Sequence, residues 1–134
     1  MTLRGPEPVD RSTAPDAPSP DRAPVLDEAA IAELDGEHGA ETTDQIIALF
    51  AAELDQRVAS LATIAGIAAV TRDFHALASA ARSVGCLELA CLCRETETVL
   101  RTGDADLAGR VSRILVAADR ARRAIAATQS LRAR

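Results

Sequence analysis

Between residues 67 and 84 the apolar side chains recur every three or four positions, at Ile67, Val70, Phe74, Leu77, Ala81 and Val84, and the run closes on Gly85. At about 100° of turn per residue, those six side chains gather on one side of a helix. On the same wheel His75, Ser79 and Arg82 form a second stripe, roughly a quarter-turn from the core direction. A glycine directly after the run suits the left-handed position that terminates helices. An imidazole on that stripe is held by the packed face below it and stays open to a partner above.

The rest of the chain repeats the pattern. Asp27 is placed to cap a first, short helix over residues 27–35, with Leu26, Ala30, Ile31 and Leu34 on its apolar side and Gly36 as its stop. Thr42 and Gln45 stand three apart, close to a capping box, and predict a second helix from about residue 42 to 65. Its apolar residues are Ile46, Ile47, Leu49, Phe50, Leu54, Val58, Leu61 and Ile64, with Gly66 as breaker. A fourth helix is expected over 87–100, with Leu89, Ala90, Cys93, Val99 and Leu100 inward. Asp104 or Asp106 can cap a fifth, whose core stripe is Leu107, Val111, Ile114, Leu115, Ala118, Ala121 and Ile125. Alanine is abundant, the only aromatics are two Phe, and no β-branched or aromatic alternation marks a strand. Long amphipathic helices with short connections predict an all-α fold: an antiparallel up-down four-helix bundle with a short additional N-terminal helix. One domain is expected over 25–128.

All six prolines lie between Pro6 and Pro24. That composition buries too little apolar surface to offset ordering, so 1–24 reads as a disordered Pro-rich tail. Residues 129–134 read as a frayed C-terminus. Charge is unevenly spread: residues 1–55 carry 13 carboxylates against 3 arginines, and residues 56–134 carry 12 arginines against 7 carboxylates. The acidic total argues against nucleic acid as the partner, and the arginines of the last helix read as a solvated face. Three cysteines, an odd number, suit a reducing compartment. There is no apolar leader at the N-terminus and no run of membrane-spanning length, so a cytoplasmic location is expected, with no membrane association. Four long helices can satisfy one another within one chain, which predicts a monomer.

The sequence carries no phosphate-cradling glycine loop, no GxSxG elbow and no HExxH. Cys91 and Cys93 point about 200° apart on a helix and cannot share a metal, and Cys86 does not complete a set, so no metal site is expected. Glu95 and Glu97 fall on different faces and do not form an acid/base pair. His75 remains. Its neighbours on the stripe, Ala68, Ala78 and Ser79, are small and leave room for another surface. Arg72 stands one turn before it and Arg82 two turns after, and guanidinium groups suit phosphate. Neutral imidazole is a nucleophile near physiological pH.

The segment from His75 to Gly85 resembles the signature of the histidine phosphotransfer (HPt) domain family, His-x-Leu-Lys-Gly-Ser with a glycine ten residues after the histidine. His75, Leu77 and Gly85 agree in register. Residues 89–97 look like the family's next helix, and residues 46–54 are similar to the helix before the histidine helix. The likeness covers roughly residues 25–127. Ala78 stands where the signature has lysine, Ser79 where it has glycine, and Thr96 where an apolar residue is usual.

The resemblance implies a phosphoryl carrier in a bacterial multistep phosphorelay, a phosphotransfer intermediate rather than an independent kinase. His75 would take a phosphoryl group from a receiver-domain aspartate, or return it. The receiver would bring Mg²⁺, so the chain itself needs no cofactor. Glu97 falls where the family often has Gln or Glu and would orient the imidazole. Arg82 would compensate for the missing lysine, with Ser79, Ala78 and Arg72 around the phosphoryl or docking site. Implied partners are a response-regulator receiver domain and a hybrid histidine kinase. Two rivals stand beside this reading: a degenerate HPt-like module that docks a kinase or regulator without transfer, and a helical adaptor unrelated to phosphorelay, in which His75 would be covered.

Overall fold

The computed structural model describes residues 23–61, 67–103 and 106–134, with side chains in the histidine helix from Thr71 onward. Five helices follow in order: α1 Glu28–His38, α2 Ala40–Leu61, α3 Ile67–Ser83, α4 Leu87–Thr102 and α5 Leu107–Arg132. No strand occurs among the described residues. The protein is all-α. α2, α3, α4 and α5 pack in a ring, each on the next and α5 back on α2, while α1 lies on α2. Ion pairs show the directions. Glu95 meets Arg110 and Glu88 meets Arg120, so α4 and α5 run antiparallel. Asp55 meets Arg122 and Asp44 meets Arg132, so α2 and α5 do too.

The core fills the centre of that ring. Ile47, Leu54, Phe74, Leu77, Val84, Leu89, Ile114 and Ile125 are buried almost completely. Ala81, Ala117, Ala118 and Ala121 are equally covered, and these small side chains let the helices approach closely. Of the stripe on α3, Phe74, Leu77, Ala81 and Val84 point inward as their spacing predicts, and the side chains of Ile67 and Val70 lie outside the described residues. Leu49, expected on the apolar side of α2, is instead 70% exposed. Asp104, one of the two expected caps of α5, and residues 62–66, Ile64 and Gly66 included, fall outside the described residues.

Helix ends differ from expectation where a local signal was outweighed. Gly36 does not stop α1; the helix runs through it to His38 and ends at Gly39, whose φ of 86° and extended ψ turn the chain. A glycine inside a helix costs only about 1 kcal/mol, so it interrupts nothing by itself. The capping box at Thr42 does not form. α2 starts two residues earlier, and Thr43 is buried with its hydroxyl donating to Gly39 O at 2.9 Å. The 129–134 segment is not frayed as expected, since α5 continues to Arg132. The Arg132 guanidinium donates to both Asp35 oxygens, to Asp44 and to Ala40 O, anchoring the last turn on α1 and α2. Asp27 and Asp106 cap α1 and α5 as their positions predict, accepting from Ala29 N and Gly109 N.

The turn between α3 and α4 fixes the register on which the site depends. Cys86 N donates to Ala81 O at 2.8 Å and Gly85 N to Arg82 O at 3.2 Å, the paired bonds of a Schellman terminus. Gly85 has φ of 89°. A Cβ there would stand 2.5 Å from Asp27 O and 2.9 Å from the Ala30 Cβ. The chain before α1 crosses this turn: Asp27 N donates to Gly85 O at 2.7 Å, Glu88 N to Pro24 O at 2.9 Å, and Ala23 is buried. Of the segment read as a tail, residues 1–22 lie outside the described residues.

Candidate functional site around His75

Two anchors set the rotation of α3. On one side Asp73 accepts from Arg57 of α2 at 2.8 Å and from Ser60 at 2.9 Å. In the core Phe74 is fully covered. One residue further on, His75 therefore points away from the bundle, and its side chain is 71% exposed. Its Nδ1 lies 3.0 Å from Glu97 Oε2 on α4. An ionised carboxylate only accepts, so the ring donates Nδ1–H to it, and in the neutral imidazole Nε2 then keeps its lone pair. Glu97 itself is largely covered, at 16% exposure, and holds this end of the pair still.

His75, Ala78, Ser79, Arg82, Arg94 and Glu97 line one open cleft of about 190 Å³ between α3 and α4. The expected site residues divide as follows. His75, Glu97, Ser79 and Arg82 are on it. Ala78 is buried and forms its floor, not part of an exposed stripe as expected, because α4 covers that side of α3. Arg72 is exposed but does not line the cleft. The side chain of Ala68 is outside the described residues. Arg94 was not anticipated. It stands three residues before Glu97, on the same face of α4, but what brings it to His75 is the packing of α4 on α3, which leaves no signal in the spacing of either helix.

Two arginines and one carboxylate surround the ring in the cleft. Arg57, Arg110, Arg113, Arg120, Arg122, Arg123 and Arg132 each meet a carboxylate of this chain. Arg82 and Arg94 have no carboxylate within 4.0 Å among the described residues; the nearby Glu97 is engaged by His75. Both guanidiniums bear on Cys91, a half-buried thiol on α4: burial pushes it up from its ordinary value, and Arg94 and Arg82 pull it part of the way back. Cys86 and Cys93 are buried thiols, each pushed up to about 12 by burial, and are inert as nucleophiles. Thr96, in the place of an apolar residue, is buried and returns its hydroxyl to Leu92 O at 2.8 Å, so its polarity is satisfied within α4. No group of three metal-ligating side chains occurs among the described residues.

The sequence model of one family, the Hpt domain, matches residues 45–130, more than half of the chain. The chain belongs to the Hpt domain family, and is thereby a phosphotransfer module of phosphorelay, or two-component, signalling. Domains of this family interact with response-regulator receivers and histidine kinases. Neither the curated proteins nor the solved structures include a match to it. Among the described residues no helix is long and apolar enough to cross a membrane.

Proposed function

We propose that His75 is the residue that carries the phosphoryl group, received from or delivered to the aspartate of a receiver domain. The observation that carries this reading is the imidazole's setting: mostly exposed, with Nδ1–H committed to Glu97. The open Nε2 lone pair attacks phosphorus, the P–O bond to the aspartyl carboxylate breaks, and that electron pair leaves on the carboxylate. Nδ1 keeps its proton throughout. The positive charge that develops on the ring meets Glu97, and the phosphoryl oxygens meet Arg82 across the cleft. Mg²⁺ would come with the receiver, where it would neutralise charge on the carboxylate side of the transfer. Ser79 offers a hydroxyl at the rim, and Arg72 lies outside the cleft as a docking contact. The domain over residues 25–128 acts as a single-chain carrier in the cytoplasm and has no kinase activity.

Incubation with a phosphorylated receiver domain tests this. The wild-type chain should take up acid-labile label and His75→Gln should take up none; equal loss of label from the receiver with both proteins would sink the reading. One observation favours a second reading. The signature's cation three after the histidine is absent, and the residue in its place, Ala78, is buried. A module that docks a receiver or kinase without transfer would keep both its affinity and its cellular effect in His75→Ala.

A further inference from the structure

We propose that Arg94 is a phosphoryl-binding residue of this domain, supplying from α4, together with Arg82 from α3, the positive charge that Ala78 does not. The proposal rests on the reading of His75 as the phosphorylated residue and adds to it a partner from the opposite helix. Three features of the structure carry it. Arg94 lines the same cleft as the imidazole. Among the described residues it has no carboxylate partner within 4.0 Å, whereas seven other arginines do. Both it and Arg82 lie close enough to the Cys91 thiol of α4 for their charge to oppose the effect of burial there.

The geometry explains why a cation can come from there. A lysine on the third residue after the histidine would have to start from the position of Ala78, which is the buried floor between the helices. Arg94 starts from α4, on the opposite wall of the same cleft. Arg82, seven residues after His75, closes the cleft along α3. A phosphoryl group on Nε2 would then have guanidinium groups on two sides, and the planar fork of each can meet two of its oxygens. Glu97 stays on the imidazole, so the carboxylate stabilises ring charge and the arginines stabilise phosphoryl charge, with no competition between them. Arg94 makes no bond to the imidazole itself; its contact is with the transferred group.

A donor that needs no partner protein separates this role from docking. With potassium phosphoramidate, Nε2 attacks phosphorus, the P–N bond of the donor breaks and ammonia leaves. Uptake is followed as acid-labile phosphohistidine or by ³¹P resonance. Labelling of the wild type and its loss in His75→Gln establishes the underlying reading; an unlabelled wild type overturns that reading, and the proposal falls with it. With labelling in hand, Arg94→Gln should slow uptake about tenfold, the loss of one charge-assisted contact, and Arg94→Lys should restore most of it. Arg101→Gln, which removes an exposed arginine of the same helix outside the cleft, should match the wild type, and a common slowing in both glutamine variants would reduce the effect to net charge and overturn the proposal. Uptake by Arg94→Gln at the wild-type rate would overturn it as well. So would slowing seen only with a phosphorylated receiver, because that outcome makes Arg94 a docking contact. Circular dichroism of each variant confirms that the rates are read on folded protein.

Discussion

Arginine is used in two opposite ways at two places in this molecule. At the corner where α5 ends, Arg132 is held by Asp35, Asp44 and the Ala40 carbonyl, and each of its three guanidinium nitrogens bonds to this chain. Across the α3–α4 cleft, Arg82 and Arg94 stand beside an exposed histidine, and the nearby carboxylate is bound to the ring instead. The first arrangement closes a fold. The second leaves two guanidiniums beside the ring without a carboxylate partner among the described residues. A guanidinium left without a carboxylate gains little by itself, so its placement beside an exposed imidazole is informative where the many paired arginines are not.

The sharpest way to break this contrast is to exchange what each region loses. His75→Gln removes the acceptor and should abolish labelling while leaving the thermal midpoint near that of the wild type, since the ring is exposed. Arg132→Gln should do the reverse, lowering the midpoint and leaving uptake unchanged. A loss of uptake in Arg132→Gln would mean that the two regions are coupled. Next in size is Phe74→Ala, one residue before His75. Phe74 is fully buried, and truncation should cost about 3–5 kcal/mol in a denaturant titration. Neighbours 74 and 75 thus separate stability from chemistry within one helical turn. Gly85→Ala follows: the left-handed backbone and the approach of Asp27 O should cost about 2 kcal/mol. Because this turn sets the register of α3 against α4, the variant should also lose the His75–Glu97 contact, visible as a change in the imidazole NMR resonances.

Much of one region was readable in the sequence, and little of the other. The α3 stripe, its glycine terminator and the position of Glu97 follow from local spacing and from the likeness to the HPt signature, and local spacing survives folding when one face is uniformly apolar. Arg94 was missed because its relation to His75 depends on how α3 and α4 slide past each other, which no spacing within either helix specifies. Ala78 was misplaced for the same reason: α4 decides whether that side of α3 is open. The Arg132 corner was invisible in sequence, since its carboxylates lie 97 and 88 residues away. A terminal segment rich in arginine reads as frayed until those partners are found. Gly36 and Thr42 misled in a simpler way, as weak local signals overruled by the docking of α1 and the burial of Thr43.

The smallest expected effect is also the one that tests whether the closed corner is held by charge. The Arg132 guanidinium keeps the Asp35 carboxyl below its ordinary value of 3.8, against the opposing pull of burial. A carboxyl that binds its proton more weakly when folded stabilises the folded state once it is ionised. That contribution is present above the unfolded value, about pH 4, and is lost as the pH falls through the lower folded value. Asp35→Asn should therefore melt slightly below the wild type at neutral pH, and the gap should close on acidification below about pH 4. Added salt should narrow the gap as well, because the pair is partly exposed. A gap that persists unchanged in acid would show that the corner is held by the packing of the Arg132 stem rather than by its charge. Paired arginine would then be no different in kind from the unpaired arginines of the cleft, and the contrast between the two regions would rest on His75 alone.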